Sequence, residues 1–172
     1  LALMARYHFP DYYYPLTLIE AQKLLYFMQL AGEPLRLDYQ PGHYGPYADN
    51  LRHVLNHLEG HHIVGFGDGR NKPDTPLKAL PGATEEAEAF LAHHPDTQAR
   101  IDRVARLIEA FETPFGMELL ASVHWVEASR PADERSPDTA LRDVHAWNER
   151  KASRMRQAHV TAAWERLRSH GW

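Results

Sequence analysis

Cysteine is absent from the 172-residue sequence. Its absence excludes disulfide bonds, a thiolate nucleophile and every zinc site built on cysteine ligands. No run of apolar residues approaches the roughly 20 that a membrane-spanning helix needs, so no contact with a membrane is expected. The sequence starts at Leu1 without the basic, apolar and cleavage segments of a signal peptide. These absences predict a cytoplasmic location, and the missing initiator methionine is typical of a piece cut from a longer protein.

An excess of positive charge is also absent, because 19 basic and 23 acidic side chains give a net charge of −4. Such a balance carries no electrostatic footprint of phosphate binding, so direct nucleic-acid binding is not predicted. The charge is uneven, and residues 131–172 hold 8 basic and 6 acidic side chains. Arg150, Lys151, Arg154 and Arg156 in this tail could contact phosphates. A winged helical nucleic-acid-binding module therefore stays open as an alternative.

Helical periodicity dominates the sequence, of which 44% is hydrophobic. Thr17 and Glu20 have capping-box spacing at the start of a helix that is apolar almost all round and therefore buried. Residues 62–66 and 75–80, joined by a turn over 67–70, predict a β-hairpin or wing. Pro46 suits the first position of a helix that runs to Leu58. The predicted fold is mainly α, a single compact domain over 1–172 with six or seven helices and a small two-stranded wing. The predicted helices cover about 17–31, 46–58, 84–93, 95–112, 117–128, a segment from 137, and 159–169.

Recognisable catalytic chemistry is missing from the sequence. It contains no nucleophile elbow, P-loop, dinucleotide-binding glycine motif or kinase signature. His53 and His57 stand one helical turn apart, and a zinc enzyme that uses the twelve histidines is a further alternative. Glu59 does not complete an H-E-x-x-H motif, however. We therefore predict that the chain is not an enzyme, holds no metal and needs no cofactor.

Several separated stretches resemble the signature of Panacea-type antitoxin domains, and more closely the toxin-binding domain of DarG antitoxins. DarG proteins are macrodomain-containing antitoxins that are paired with DarT toxins. The matching stretches span about residues 23–172 and are more specific together than singly. They are the segments 23–29, 44–51, 58–61, 65–69, 111–120, 123–126, 147–151 and 171–172.

The resemblance implies a function. DarT-like toxins are ADP-ribosyltransferases that use NAD to modify thymidine on single-stranded DNA. In DarG the N-terminal macrodomain removes ADP-ribose from DNA, and the other domain binds the toxin. No macrodomain sequence is recognisable here. The resemblance therefore implies an antitoxin domain, linked in the full-length protein to a macrodomain that carries the hydrolase activity. An antitoxin domain for a different toxin is the alternative.

The mechanism that we expect is imitation or blocking of the toxin's single-stranded DNA site. A groove that holds single-stranded DNA is basic and offers aromatic platforms, so an inhibitor could present carboxylates and flat side chains in place of phosphates and bases. Ordinary solvated helices carry such charges as well, and Trp125 and Trp147 fit the core better than an interface. The candidate toxin-binding residues are Tyr44, Tyr47, Asp49, Glu85, Glu86, Glu88, Glu112 and Glu118.

Overall fold

A computed structural model describes residues 1–7, 15–67 and 72–172 of the chain. Within these ranges it contains nine α-helices, five short strands and one turn of 3-10 helix. In chain order the helices are α1 (Ala2–Arg6), α2 (Leu18–Leu30), α3 (Leu51–Leu58), α4 (Ala83–Leu91), α5 (Pro95–Ile108), α6 (Pro114–Ala128), α7 (Pro137–Trp147), α8 (Glu149–Arg154) and α9 (Gln157–Ser169). The strands are β1 (Leu16–Thr17), β2 (Tyr39–Gly42), β3 (Gly45–Ala48), β4 (Ile63–Val64) and β5 (Pro76–Ala79), and the 3-10 turn is Ala132–Glu134.

Helix α2 lies at the centre of the domain and begins where the capping box predicts. The Glu20 carboxylate accepts hydrogen bonds from the Thr17 backbone N–H at 2.7 Å and from the Tyr7 hydroxyl at 2.6 Å. Phe27 is completely buried. The helix packs against α5, α6 and the strands β1 and β3. The predicted buried helix over 17–31 is thus confirmed.

Two helices start with the same local device, a hydroxyl cap followed by proline. Ser136 accepts a hydrogen bond from the Thr139 N–H at the start of α7, where the sequence predicts a helix. Thr113 accepts one from the Gly116 N–H at the start of α6. The break predicted over 113–116 between two helices is present but lies at 109–113, because a side-chain cap at Thr113 followed by Pro114 favours the first turn of a helix. Helices α6, α7 and α9 pack together as a bundle beside α2.

The segment after α2 differs from the prediction. Residues 39–48 form an antiparallel hairpin in which Tyr39 pairs with Ala48 and Gly42 with Gly45. Pro46 lies in strand β3, so the helix predicted to begin there starts only at Leu51. The cause is tertiary, because the Gln22 amide on α2 bonds both the N–H and the C=O of Ala48, at 3.1 and 3.0 Å.

The predicted wing is present as strands β4 and β5, in which Ile63 pairs with Ala79. Strand β1 adds to the other side of β5, so the order in this sheet is β1-β5-β4. The turn expected over 67–70 lies outside the described residues from position 68 on. Helix α4 begins one residue before its predicted cap Thr84, after Gly82 in a left-handed conformation with φ +84°.

The prediction of a mainly α domain with a small hairpin is confirmed. The helix count rises from six or seven to nine among the described residues, because the short helices Ala2–Arg6 and Glu149–Arg154 carry too little periodicity to be predicted. Within ranges 1–7, 15–67 and 72–172, no helix has both the length and the apolar character needed to cross a bilayer.

Gly45 makes the hairpin turn possible, because its φ is +92° and a Cβ there would lie 2.9 Å from the Ser122 hydroxyl on α6. Replacement with alanine should cost about 1–3 kcal/mol of unfolding free energy for the backbone alone, with crowding against Ser122 added to it. Gly60 is the matched control, since its φ is +77° and a Cβ there would meet nothing within 4 Å. Urea unfolding should show Gly45→Ala to be clearly less stable than Gly60→Ala. Equal losses would contradict the close packing of the turn on α6.

Candidate functional site

The separated motifs meet in three dimensions. Helix α2 contributes Lys23, α6 contributes Glu118 and Ser122, and α8 contributes Lys151 with its neighbour Arg150. These five residues, here named the charge cluster, lie directly beneath the hairpin turn over 43–46. Four of the stretches that carry the family resemblance, 23–29, 44–51, 111–120 and 147–151, therefore meet at this point.

Hydrogen bonds link four members of the charge cluster, whereas Lys23 interacts with Lys151 and Glu118 through its charge. The Lys151 ammonium donates to Glu118 Oε1 at 2.7 Å and to the Ser122 hydroxyl at 3.0 Å. The Arg150 guanidinium donates to the two oxygens of Glu118 at 2.6 and 2.8 Å. The Lys23 ammonium donates to the Pro46 carbonyl of the hairpin at 2.6 Å. Glu118 is thus the one carboxylate in this network, and it serves two cations.

Burial makes this arrangement electrostatically demanding. Lys23, Glu118 and Lys151 are each at most 1% exposed. Burial, together with the neighbouring Lys151 cation, lowers the pKa of Lys23 to about 7, while Glu118 acts in the opposite direction. Burial also lowers the pKa of Lys151, and the bond to Glu118 opposes that shift. The single carboxylate of Glu118 thus faces three basic side chains, and the lowered pKa values of Lys23 and Lys151 reduce the positive charge that it must neutralise.

The consequence is a rigidly presented hairpin turn. The Arg150 guanidinium carbon lies 4.6 Å from the centre of the Tyr44 ring, a cation–π contact. The Asn148 amide donates to the His43 carbonyl at 3.1 Å. Tyr44 is half-buried against these partners, whereas Tyr47 is 44% exposed. The turn thus combines one supported ring with one ring free for contact.

A cleft of about 250 Å³ lies between this hairpin and α2. Lys23, Tyr44 and Tyr47 line it, so the aromatic rings border a buried amine whose pKa is lowered to about 7. Asp49 follows strand β3, is exposed, and lies 3.4 Å from the Arg52 guanidinium. The structure therefore brings together three of the predicted contact residues, Tyr44, Tyr47 and Asp49.

Helix α4 carries Glu85, Glu86 and Glu88, all exposed to solvent. It packs on α1 and α5, whereas the hairpin packs on α2 and α6. Leu25 and Met28 of α2 border a cleft together with residues of α4, whereas Lys23 lies two residues from Leu25 and so points to a different side of that helix. The three α4 carboxylates therefore form a surface separate from the hairpin.

Two predicted contact residues are placed differently from the expectation. Glu118 is buried as the central acceptor of the charge cluster, so its assignment to a toxin-contact surface is wrong. Its physical task is to neutralise Lys151 and Arg150. Glu112 is half-buried between α5 and α6, and its Oε2 atom is buried without a hydrogen-bond partner among the described residues.

The remaining residues considered from the sequence differ in how far they are exposed. Trp125 and Trp147 are half-buried against the core, with ring centres 6.5 Å apart. Lys151, considered for phosphate contact, is instead fully buried. His53 and His57 are exposed on α3. Across residues 1–7, 15–67 and 72–172, no three histidine or carboxylate side chains are grouped to hold a metal ion.

Sequence reasoning did not find the charge cluster as a site. A signal was present, because Lys23 and Glu118 each interrupt a helix that is apolar on nearly every side. A charged residue in such a position is almost never buried without a partner. Which partner it has depends on contacts about 30 to 130 positions apart, which periodicity cannot provide.

No protein-family profile matches the chain. The chain is 44% identical over 157 residues to a DNA ADP-ribosyl glycohydrolase of Thermus aquaticus, which covers 91% of this chain and 42% of that protein. It is 39% identical over 154 residues to DNA ADP-ribosyl glycohydrolases of Mycobacterium tuberculosis and Mycobacterium bovis, covering 87% of this chain and 43% of each relative. The chain thus spans less than half the length of these relatives.

These relatives correct one prediction. The chain was predicted not to be an enzyme, yet relatives that match 87–91% of it bear the name of an enzyme. The prediction rested on the lack of a recognisable catalytic motif and on the assignment of the hydrolase activity to a macrodomain that is not recognisable in this sequence. Over most of its length the chain is similar in sequence to these proteins, of which it spans less than half.

Glu118→Gln tests the charge cluster directly. Removal of the only carboxylate leaves Lys23, Lys151 and Arg150 without a counter-charge, and loss of one partner of a buried ion pair typically costs about 3–5 kcal/mol. Chemical denaturation should therefore show a large loss of stability. Glu88→Gln, an exposed carboxyl on α4, is the matched control and should leave the midpoint unchanged. A Glu118→Gln variant as stable as that control would contradict the network.

The lowered pKa of Lys23 predicts a pH dependence with a definite sign. Unfolding returns this pKa from about 7 to its ordinary 10.5, so the unfolded chain binds the extra proton between these values. Stability should therefore rise with pH above 7, by at most about 1.4 kcal/mol per pH unit for this group. Unfolding titrations at pH 6, 7, 8 and 9 should give a shallower slope for Lys23→Met than for the exposed control Lys72→Met. Identical slopes would refute the lowered pKa.

Proposed function

We propose that this chain is part of a DNA ADP-ribosyl glycohydrolase of the DarG type and that it binds the cognate ADP-ribosyltransferase toxin directly. The support is twofold. The relatives that match most of the chain carry that enzyme name. Four of the stretches that resemble a toxin-binding antitoxin domain, 23–29, 44–51, 111–120 and 147–151, contribute to the charge cluster and the hairpin above it.

The observation that carries the proposal is this convergence. Lys23, Glu118 and Lys151 form an arrangement of buried charges that contributes little net stability of its own but fixes the position of its neighbours. What it fixes is the turn that presents Tyr44 and Tyr47. Rigid tyrosines with a polar end are effective contact residues, because they bury a large area and lose little conformational freedom.

The toxin surface that fits this hairpin is the groove that accepts single-stranded DNA. Such grooves offer flat stacking partners and positive charge. Tyr47 would take the place of a base, and the exposed carboxylate of Asp49 would take the place of a phosphate. The separate α4 surface, with Glu85, Glu86 and Glu88, adds long-range attraction that speeds association, because opposite charges steer encounter over about 8–10 Å at physiological salt.

A stoichiometric titration separates binding from catalysis. Purified toxin is supplied with NAD and a single-stranded oligonucleotide, and residues 1–172 are added in steps. Direct binding predicts that transfer of ADP-ribose stops at one chain per toxin molecule, and that both proteins co-elute without DNA. If far less than one chain per toxin abolishes the modified product, or if no complex forms, neutralisation does not proceed by binding.

Surface variants locate the contact. Tyr47→Ala should weaken the complex at least tenfold, in keeping with loss of an interface tyrosine, while Val64→Ala, another exposed apolar side chain, should bind as the unmodified chain does.

Reversal of Glu85, Glu86 and Glu88 to lysine should slow association and flatten its salt dependence. Reversal of Asp133, Asp138 and Glu165 makes the same charge change elsewhere and should have the smaller effect. Equal rates for the two triple variants would remove α4 from the proposal, and wild-type affinity of folded Tyr47→Ala would remove the hairpin.

A further inference from the structure

A different cleft, of about 190 Å³, opens between α6 and α9, on surfaces that the charge cluster does not use. Glu127 of α6 lines it together with Trp164 of α9 and the indole of Trp172. Arg135 and Arg168 border the same cleft and are exposed. The cleft therefore combines two aromatic walls, a carboxyl group and two cations.

Glu127 has one hydrogen-bonding position left over. Its side chain is only 7% exposed, and its Oε2 accepts the Trp164 indole N–H at 2.8 Å. Its Oε1 is buried and has no partner among the described residues. A buried carboxylate oxygen without a partner has lost its water and gained nothing in return, and burial accordingly raises the pKa of this carboxyl.

The Trp172 indole N–H is the complementary group. It is also buried and has no acceptor within the described ranges. The ring itself is held firmly, because the Phe27 ring meets it edge-on at 5.4 Å and the Arg103 guanidinium carbon lies 4.3 Å from its centre. One cleft thus contains an unpaired buried acceptor and an unpaired buried donor, a combination that is rare in folded proteins unless something else satisfies it.

The rim supplies positive charge. Neither Arg135 nor Arg168 lies within ion-pair distance of a carboxylate in the described part of the chain: Arg135 donates to the Arg130 carbonyl at 3.1 Å, and Arg168 stacks on the Trp164 ring at 5.1 Å. His124 adds no charge, because burial, assisted by the Arg135 cation, lowers its pKa to about 4. An anionic group at the mouth would therefore face two guanidinium groups.

We propose that this cleft binds a nucleotide with a single-ring base, the edge of the base at Glu127 and the Trp172 N–H and the phosphate at Arg135 and Arg168. A pyrimidine carries a hydrogen-bond donor next to an acceptor on one edge, which matches Glu127 Oε1 and the Trp172 N–H. The volume fits one ring, since a cavity of about 150 Å³ accommodates benzene. Guanidinium groups recognise phosphate through paired N–H donors. This inference is independent of toxin binding and survives if that proposal fails.

Calorimetry on residues 1–172 with UMP, uridine and inorganic phosphate tests the proposal. UMP should bind at least tenfold more tightly than uridine, which lacks the phosphate, and more tightly than phosphate, which lacks the base. Glu127→Gln exchanges the free acceptor for a donor and should weaken UMP binding at least tenfold. Trp172→Phe keeps a ring but removes the N–H and should act in the same direction. Glu165→Gln, an exposed carboxyl on α9, is the matched control and should change nothing.

A short oligothymidylate, with and without a 5′ phosphate, then distinguishes a free nucleotide from the end of a DNA strand as the ligand. Binding of the phosphorylated oligonucleotide alongside UMP supports a DNA end as ligand, and binding of UMP alone supports a free nucleotide. The proposal is overturned if neither binds at millimolar concentration. It is also overturned if phosphate binds as well as UMP does, or if folded Glu127→Gln and Trp172→Phe both bind UMP unchanged.

Discussion

The buried ion pair between Glu118 and Lys151 is the interaction on which the arrangement of this domain depends. It joins α6 to α8, and beside it Lys23 joins α2 to the hairpin carbonyl of Pro46. Four elements that are distant in the sequence are thereby tied at one point. Buried charges are poor sources of net stability, but they are intolerant of misplacement, because any shift leaves an uncompensated charge in a medium that solvates it badly. A geometry of this kind selects one packing of the helices over close alternatives.

The hairpin shows how this constraint reaches the surface. Its residues have little reason of their own to form strands, since the stretch contains Pro41, Gly42, Gly45 and Pro46. The Gln22 amide holds its outer end at Ala48, and Lys23 holds its turn at Pro46. The exposed Tyr47 therefore lies on a hairpin whose position is fixed by side chains of α2. That is the property expected of a protein-binding element, where rigidity before contact reduces the entropic cost of association.

Local sequence signals predict the helices well and the site only in part. The capping box at Thr17 and the cap-proline pair at Ser136 are short-range devices, so the helices that they start could be predicted. Pro46 misled the prediction because proline favours a helix start in the absence of other contacts, and here contacts from α2 decide. Glu118 was assigned to the surface because its charge was considered without its surroundings, the apolar run that continues on either side of it. The pairing of Glu118 with Lys151 could not be predicted, because it depends on the fold.

The central claim, that the hairpin above the charge cluster is the toxin-contact surface, is tested most directly by hydrogen–deuterium exchange of residues 1–172 with and without purified toxin. The account predicts that exchange slows on complex formation in the segment 42–49, beyond the protection that the free domain already shows there. Protection confined to other elements, with unchanged exchange across 42–49 in a stable complex, would contradict it.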